Sequence, residues 1–297
     1  MNNQHLKTIQ YVLLAFLAPF VSFYPAAKAQ NTSNSLLYKI SGKGLKQDSY
    51  LYGTIHVMPK KDFSISEKIS KAFNQCSVLA MEIDLNMDFK TKISVAQQTI
   101  LPNNQTLENL MSAGEYNRLK QYVIDSMHVK KSKFKKYERL KPFFFSSAIM
   151  QEQMKDTESY EVEFNKMAKK RKMQTAGLES IYSQLDLVNK MPTNEQLQML
   201  TSELYTANEN NSFDKMIELY KNEDTEALYK VINDETAGMA DFTEDFLVKR
   251  NKNWIPVIET LASQNSTFIA VGAGHLGGEK GVIALLKKQG YTVTPVY

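Results

Sequence analysis

The chain has 297 residues, 43% hydrophobic and 23% charged, with a formal net charge of +4. That composition excludes a disordered chain and belongs to an ordinary globular protein, while a single cysteine, Cys76, excludes an internal disulfide and leaves stability to the apolar core. No nucleic-acid motif is present.

The first 29 residues read as a cleavable signal peptide. Lys7 precedes an apolar run from Tyr11 to Tyr24, and Ala27-Lys28-Ala29 fits the small-x-small cleavage rule. The run is short for a membrane span and broken by Pro19, so no stable span is expected after cleavage. The compartment this implies is the periplasm or the cell exterior. The mature part has 268 residues (297 minus 29), enough for one large domain or two small ones, and is read as a single domain over 30–297.

In chain order, Leu36–Ile40 and Ser49–Gly53 flank a glycine turn and predict a β-hairpin. Residues 66–75 place Ile69, Ala72 and Phe73 on one helical face, and 77–83 follow as a compact strand with Cys76 read as a packed thiol beside it. From about 88 to 250 the spacing turns helical and predicts an inserted helical lobe. Leu107, Leu110 and Met111 set the period; Pro142 heads an aromatic-rich helix; Tyr160–Lys172 is expected edge-on to solvent. Thr175–Glu179 interrupts the helices as a short strand, and Thr193 and Gln196 have capping-box spacing. Helices are expected over 212–220, 224–232 and 243–260, with Pro256 kinking or dividing the last. A strand over 266–272, a glycine-rich loop, a helix over 280–289 ended by Gly290 and a strand over 291–296 close the chain. The fold class is mixed α/β, with a central sheet taking strands from both chain ends. The basic runs Lys130–Lys136 and Lys169–Lys172 read as solvated helix ends; an interaction module meeting anionic envelope surfaces is the competing use of them.

His56 and His275 share a setting: an apolar strand, then Gly, two residues and His, at Gly53-Thr-Ile-His56 and Gly272-Ala-Gly-His275. Glycine at a strand end permits positive φ or close backbone approach, and loops at strand carboxyl ends are where α/β sheets place ligands. A histidine there presents an imidazole to a metal or moves a proton near neutral pH. Carboxylates complete the shell of a hydrolytic ion, and Glu82 and Glu179, with Asp84 as a third, follow predicted strands. For each glutamate a salt bridge or helix cap is the alternative.

Together, Tyr52-Gly-Thr-Ile-His-Val57, Met81-Glu82, Gly177-Leu-Glu179, Arg250-Asn251 and Val271-Gly-Ala-Gly-His275-Leu276 resemble the TraB/GumN family, which includes the Tiki proteases of animals. The resemblance implies a fold similar to the erythromycin-esterase and ChaN-like group, and a divalent ion, Mn²⁺ or Co²⁺ with Zn²⁺ as a third choice. It implies hydrolysis of a peptide or protein substrate. By motif it carries over His56, His275, Glu82, Glu179 and Arg250 as catalytic positions, the first four also as metal ligands. A non-catalytic haem- or metal-binding envelope protein of the same fold is the alternative.

Overall fold

The computed structural model describes residues 34–153, 156–206, 212–235 and 243–297; the expected signal peptide lies outside them. Two compact units divide the chain. Among the described residues, one takes 34–86 together with 157–180 and those from 212 onward; the other takes those within 87–156 and 181–206. Among the described residues no helix is long and apolar enough to cross a membrane.

The strands, all in the first unit, are β1 (Leu37–Ser41), β2 (Ser49–Thr54), β3 (Met58–Pro59), β4 (Val78–Met81), β5 (Thr157–Glu158), β6 (Gln174–Gly177), β7 (Thr267–Gly272) and β8 (Thr292–Pro295). Six form one mixed sheet in the order β6-β4-β7-β2-β1-β8. The four strands β6, β4, β7 and β2 run parallel, and β1 pairs antiparallel with both β2 and β8. The mixed α/β class and a sheet fed from both chain ends are therefore as the patterning predicted. β2, β4 and β7 are buried along their whole length, which is why they read as continuous apolar runs rather than alternations. The flanking strands β1 and β8 are buried only in part.

The expectation for the helix after Ser159 is corrected. Tyr160–Arg171 is not edge-on to solvent but buries Tyr160, Glu161, Phe164, Asn165 and Ala168. Its Phe164 ring lies 5.6 Å from Phe73 of helix Glu67–Asn74 and 5.0 Å from Phe268 of β7. Burying each of these phenylalanines contributes about 1.5–3 kcal/mol, enough to override a charged outer face. Cys76 is packed as expected: buried, donating to the Ala72 carbonyl at 3.4 Å, its thiol pushed up to about 12 by burial.

Two local expectations fail for identifiable reasons. Pro256 does not divide its helix, which is continuous over Lys249–Gln264. Pro256 and Lys252, four residues earlier, both lie on the exposed side, so the carbonyl left without a donor faces water. The wide turn comes earlier, as one π-helical segment over Glu244–Val248. Gln196 does not close a capping box with Thr193; its amide nitrogen donates to the Val188 and Met191 carbonyls. Those contacts lie in the helical unit, whose core gathers Leu107, Leu119, Phe134, Phe145, Ile149 and Leu200.

The parallel register sets up the site. Met81 pairs with Gly177 on one side and Ala270 on the other, and Thr54 pairs with Gly272, so four neighbouring strands end nearly level. Two glycines at these ends are required by close approach, not by positive φ. A Cβ on Gly53 would stand 2.6 Å from Leu276 Cδ1 and 3.1 Å from the Ala273 backbone. On Gly177 it would stand 2.7 Å from the Glu179 carbonyl oxygen and 2.9 Å from the Asp84 nitrogen. Because those last two atoms are backbone, Gly177→Ala is expected to lose about 1–3 kcal/mol in urea denaturation, while Gly114→Ala, with open space around it, leaves stability within about 0.5 kcal/mol or raises it.

Candidate active site at the carboxyl ends of the parallel strands

His56 follows β2, Glu82 follows β4, Glu179 follows β6 and His275 follows β7. Four segments far apart in the chain thus reach one edge of the sheet, the edge where open α/β sheets hold ligands. All four residues, and Arg250 from helix Lys249–Gln264, belong to the sheet unit.

Arg250 is the hub. Its Nη2 donates to Glu82 Oε2 at 2.6 Å and to Glu179 Oε1 at 2.6 Å, and its Nε donates to the same Glu179 oxygen at 2.8 Å. Its Nη1 donates to the Phe246 carbonyl at 2.9 Å and faces His275 Nε2 at 3.3 Å. A guanidinium has five N–H donors, and these five contacts occupy them all. The indole of Trp254 covers it, 4.8 Å from the guanidinium carbon to the ring centre. Arg250 is 5% exposed and Glu82 6%, so these charges are held by one another rather than by water. The other Glu82 oxygen, Oε1, accepts from the Gly272 backbone at 2.8 Å. Burial by itself would raise the Glu82 carboxyl; Arg250 beside it, with the Gly272 amide, holds it down at about 2.

His275 is fully buried and satisfied on both ring nitrogens. Asn251 Nδ2 donates to the Lys280 carbonyl at 3.0 Å, which turns Asn251 Oδ1 toward His275 Nδ1 at 2.6 Å. The proton therefore sits on Nδ1, and the Nε2 lone pair meets Arg250. Burial, reinforced by Arg250, pushes the imidazole down to about 3, so it stays neutral.

His56 is placed differently. Its Nδ1 lies 2.9 Å from Glu161 Oε1, an ion-pair distance, but out of line for a hydrogen bond. Its Nε2 is buried and has no hydrogen-bond partner among the described residues. Glu161 is held in turn by Thr54 Oγ1 at 2.5 Å and Ser159 Oγ at 2.8 Å. Burial lowers the His56 pKa, but the Glu161 carboxylate outweighs it and the net direction is up; the Glu161 carboxyl, which burial would raise, is drawn below its ordinary value chiefly by His56. Asp84 stands apart, accepting from Thr175 Oγ1 at 2.9 Å and the Asn86 amide at 2.8 Å.

Residue type and spacing thus singled out Glu82, Glu179 and His275 of the hub; Arg250 came only through the family resemblance, Glu161 was missed, and Asn251 was given no role. A signal for Glu161 was present: it precedes Phe164, Asn165 and Ala168 by three, four and seven residues, the same buried helical stripe.

As a metal shell the expected set His56, His275, Glu82 and Glu179 does not fit. The donor types suit a divalent ion, but Arg250 takes Glu82 Oε2 and Glu179 Oε1, and His275 Nε2 faces a cationic donor. Among the described residues no group of three His, Cys, Asp or Glu side chains is arranged to hold an ion. Of the two imidazoles, His56 is the one whose ring nitrogens make no hydrogen bond among the described residues; Nδ1 has the Glu161 ion-pair contact.

A mixed sheet with a buried Arg–Glu–Glu–His hub and a second histidine beside it defines an α/β protein whose site lies at the strand ends. The sequence profile of the TraB/PrgY/gumN family matches residues 36–295, and the chain belongs to that family. It is 24% identical to a protein named "Metalloprotease TIKI homolog" from Amphimedon queenslandica, over 96% of this chain and 66% of that protein. It is 25% identical to "Metalloprotease TIKI1" from Xenopus tropicalis (90% of this chain, 62% of that one) and 23% identical to "Metalloprotease TIKI2" from Danio rerio (89% and 61%). The chain therefore spans less than two thirds of the length of these relatives. No solved structure gives a significant match.

The buried neutral His275 makes stability depend on pH. Its folded pKa is about 3 against an ordinary 6.5, so below pH 6.5 the unfolded chain binds a proton that the folded one refuses. Its contribution is complete above pH 6.5 and is lost as pH falls toward about 3. Between pH 7.5 and pH 5 it amounts to about 2 kcal/mol, read as a drop in urea midpoint. In His275→Gln the protein is expected to be less stable at pH 7.5 but to lose less on going to pH 5.

Proposed function

We propose that the chain is a hydrolase that cleaves a peptide bond in a peptide or protein substrate, with His56 as the base that activates water. The observation that carries this reading is the buried, unpartnered His56 Nε2 backed on its other face by Glu161. An imidazole so held accepts a proton from water at Nε2, and the Glu161 carboxylate 2.9 Å from Nδ1 stabilises the imidazolium that results. Thr54 and Ser159 fix the carboxylate beside the ring. The role proposed for Glu82, Glu179, Arg250 and His275 is to hold the strand ends that frame this base. The relatives' names support the reaction class and the expectation of a metal ion; Mn²⁺ or Co²⁺ before Zn²⁺ is the choice the family resemblance implies. Export to the periplasm or the exterior goes with the signal peptide read in residues 1–29.

The test is hydrolysis of a mixed peptide library by the full-chain protein, with EDTA and with Mn²⁺, Co²⁺ and Zn²⁺ added back. His56→Ala is expected to lose at least about 100-fold in rate while keeping its circular dichroism spectrum, with a lower melting point because the buried Glu161 loses its counter-charge. A folded wild-type protein that cleaves nothing under any of these conditions would sink the hydrolase reading. A shift in its visible spectrum on adding haem would then put the non-catalytic binding protein in its place.

Glu161 sets the pH at which the base works. Because the carboxylate raises the His56 pKa, removing its charge is expected to move the acidic limb of kcat/KM to lower pH in Glu161→Gln, with a lower plateau. An unmoved limb would show that Glu161 does not act on the titrating group.

A further inference from the structure

The family resemblance assigns Glu82 and Glu179 to a metal, and the geometry of this chain disagrees. Glu82 is 6% exposed, and the Glu179 side chain is 11% exposed. Two carboxylates so far from water need a cation between them. A divalent ion would supply one from outside; here helix Lys249–Gln264 supplies one from the chain itself.

Arg250 is not merely near the pair. It bridges them through one nitrogen, Nη2, at 2.6 Å to each, and adds Nε to Glu179 at 2.8 Å. Its remaining nitrogen is directed to a carbonyl and to the His275 lone pair. Glu82 completes its own shell with a backbone amide of β7. An ion entering between the carboxylates would have to displace a guanidinium whose five donors are all matched, and leave it 5% exposed among unpaired donors. Trp254 closes one face of the guanidinium, so it has no open direction there in which to swing.

We infer that Arg250, rather than a divalent ion, is the cation held by Glu82 and Glu179, and that ion uptake by this chain does not use these two carboxylates. The inference goes beyond the hydrolase reading and does not rest on it, since it concerns the occupant of the hub and not the bond cleaved.

The experiment is a crystal of wild-type full-chain protein soaked in Mn²⁺, with an anomalous difference map. The result expected is Arg250 still bridging Glu82 and Glu179, with no anomalous peak at coordination distance from either; a peak at His56 alone would agree with this. A peak coordinated by Glu82 or Glu179 would overturn the inference, whatever the protein's activity. In solution, equilibrium dialysis with Mn²⁺ is expected to give Glu82→Gln and Glu179→Gln the wild-type uptake within threefold; a larger loss from a variant that keeps its fold would overturn it as well. The crystal needs no substitution, so a variant that fails to fold does not leave the question open.

Discussion

The buried pairing of Arg250 with Glu82 and Glu179 is the constraint on which the site depends. Each carboxylate stands directly after a different parallel strand, and the guanidinium arrives from a helix that lies roughly seventy residues further along than the nearer of them. Through the Gly272 amide and the His275 ring the same hub also fixes the end of β7. Neutralising one partner alone would leave a buried charge without its counter-charge, the costly way to break such a network. The arrangement therefore works as a clamp on the sheet edge, and its members are buried for that reason and not because they are apolar.

Beside the clamp, one short motif has two physical outcomes. Gly-x-x-His occurs after β2 and after β7, yet the two imidazoles are shifted in opposite directions. His275 is enclosed between an amide oxygen and a guanidinium; burial and the neighbouring positive charge both oppose its protonation. His56 faces a carboxylate, whose attraction outweighs burial. His56 Nε2 makes no hydrogen bond among the described residues, and the Glu161 carboxylate beside Nδ1 favours the charged ring. The matched sequence settings mark a shared location at the strand ends; the charge of the nearest neighbour distinguishes what each ring can do.

Family membership and this geometry bear on different levels. The profile match covers nearly the whole described chain and places it in the TraB/PrgY/gumN family. The relatives named as metalloproteases are about a quarter identical and considerably longer. How an ion and the clamp divide the carboxylates is a question about individual atoms, and there the distances around Arg250 weigh more than a name.

Apolar patterning alone determined the strands β1, β2, β4, β7 and β8, the mixed α/β class and the segments carrying His56, Glu82, Glu179 and His275, because runs buried on both faces and glycines at their ends leave local marks in the chain. Spacing could also place Arg250 and Asn251 on one helix. Tertiary structure alone decided who meets whom. Glu161 lies more than one hundred residues from His56, on a helix whose charged outer face masks the stripe that buries it. Hydrogen-bond direction, the tautomer of His275 and the bridging of two glutamates by one guanidinium depend on the register of parallel strands, and parallel pairing joins distant segments through crossovers whose packing no local period encodes.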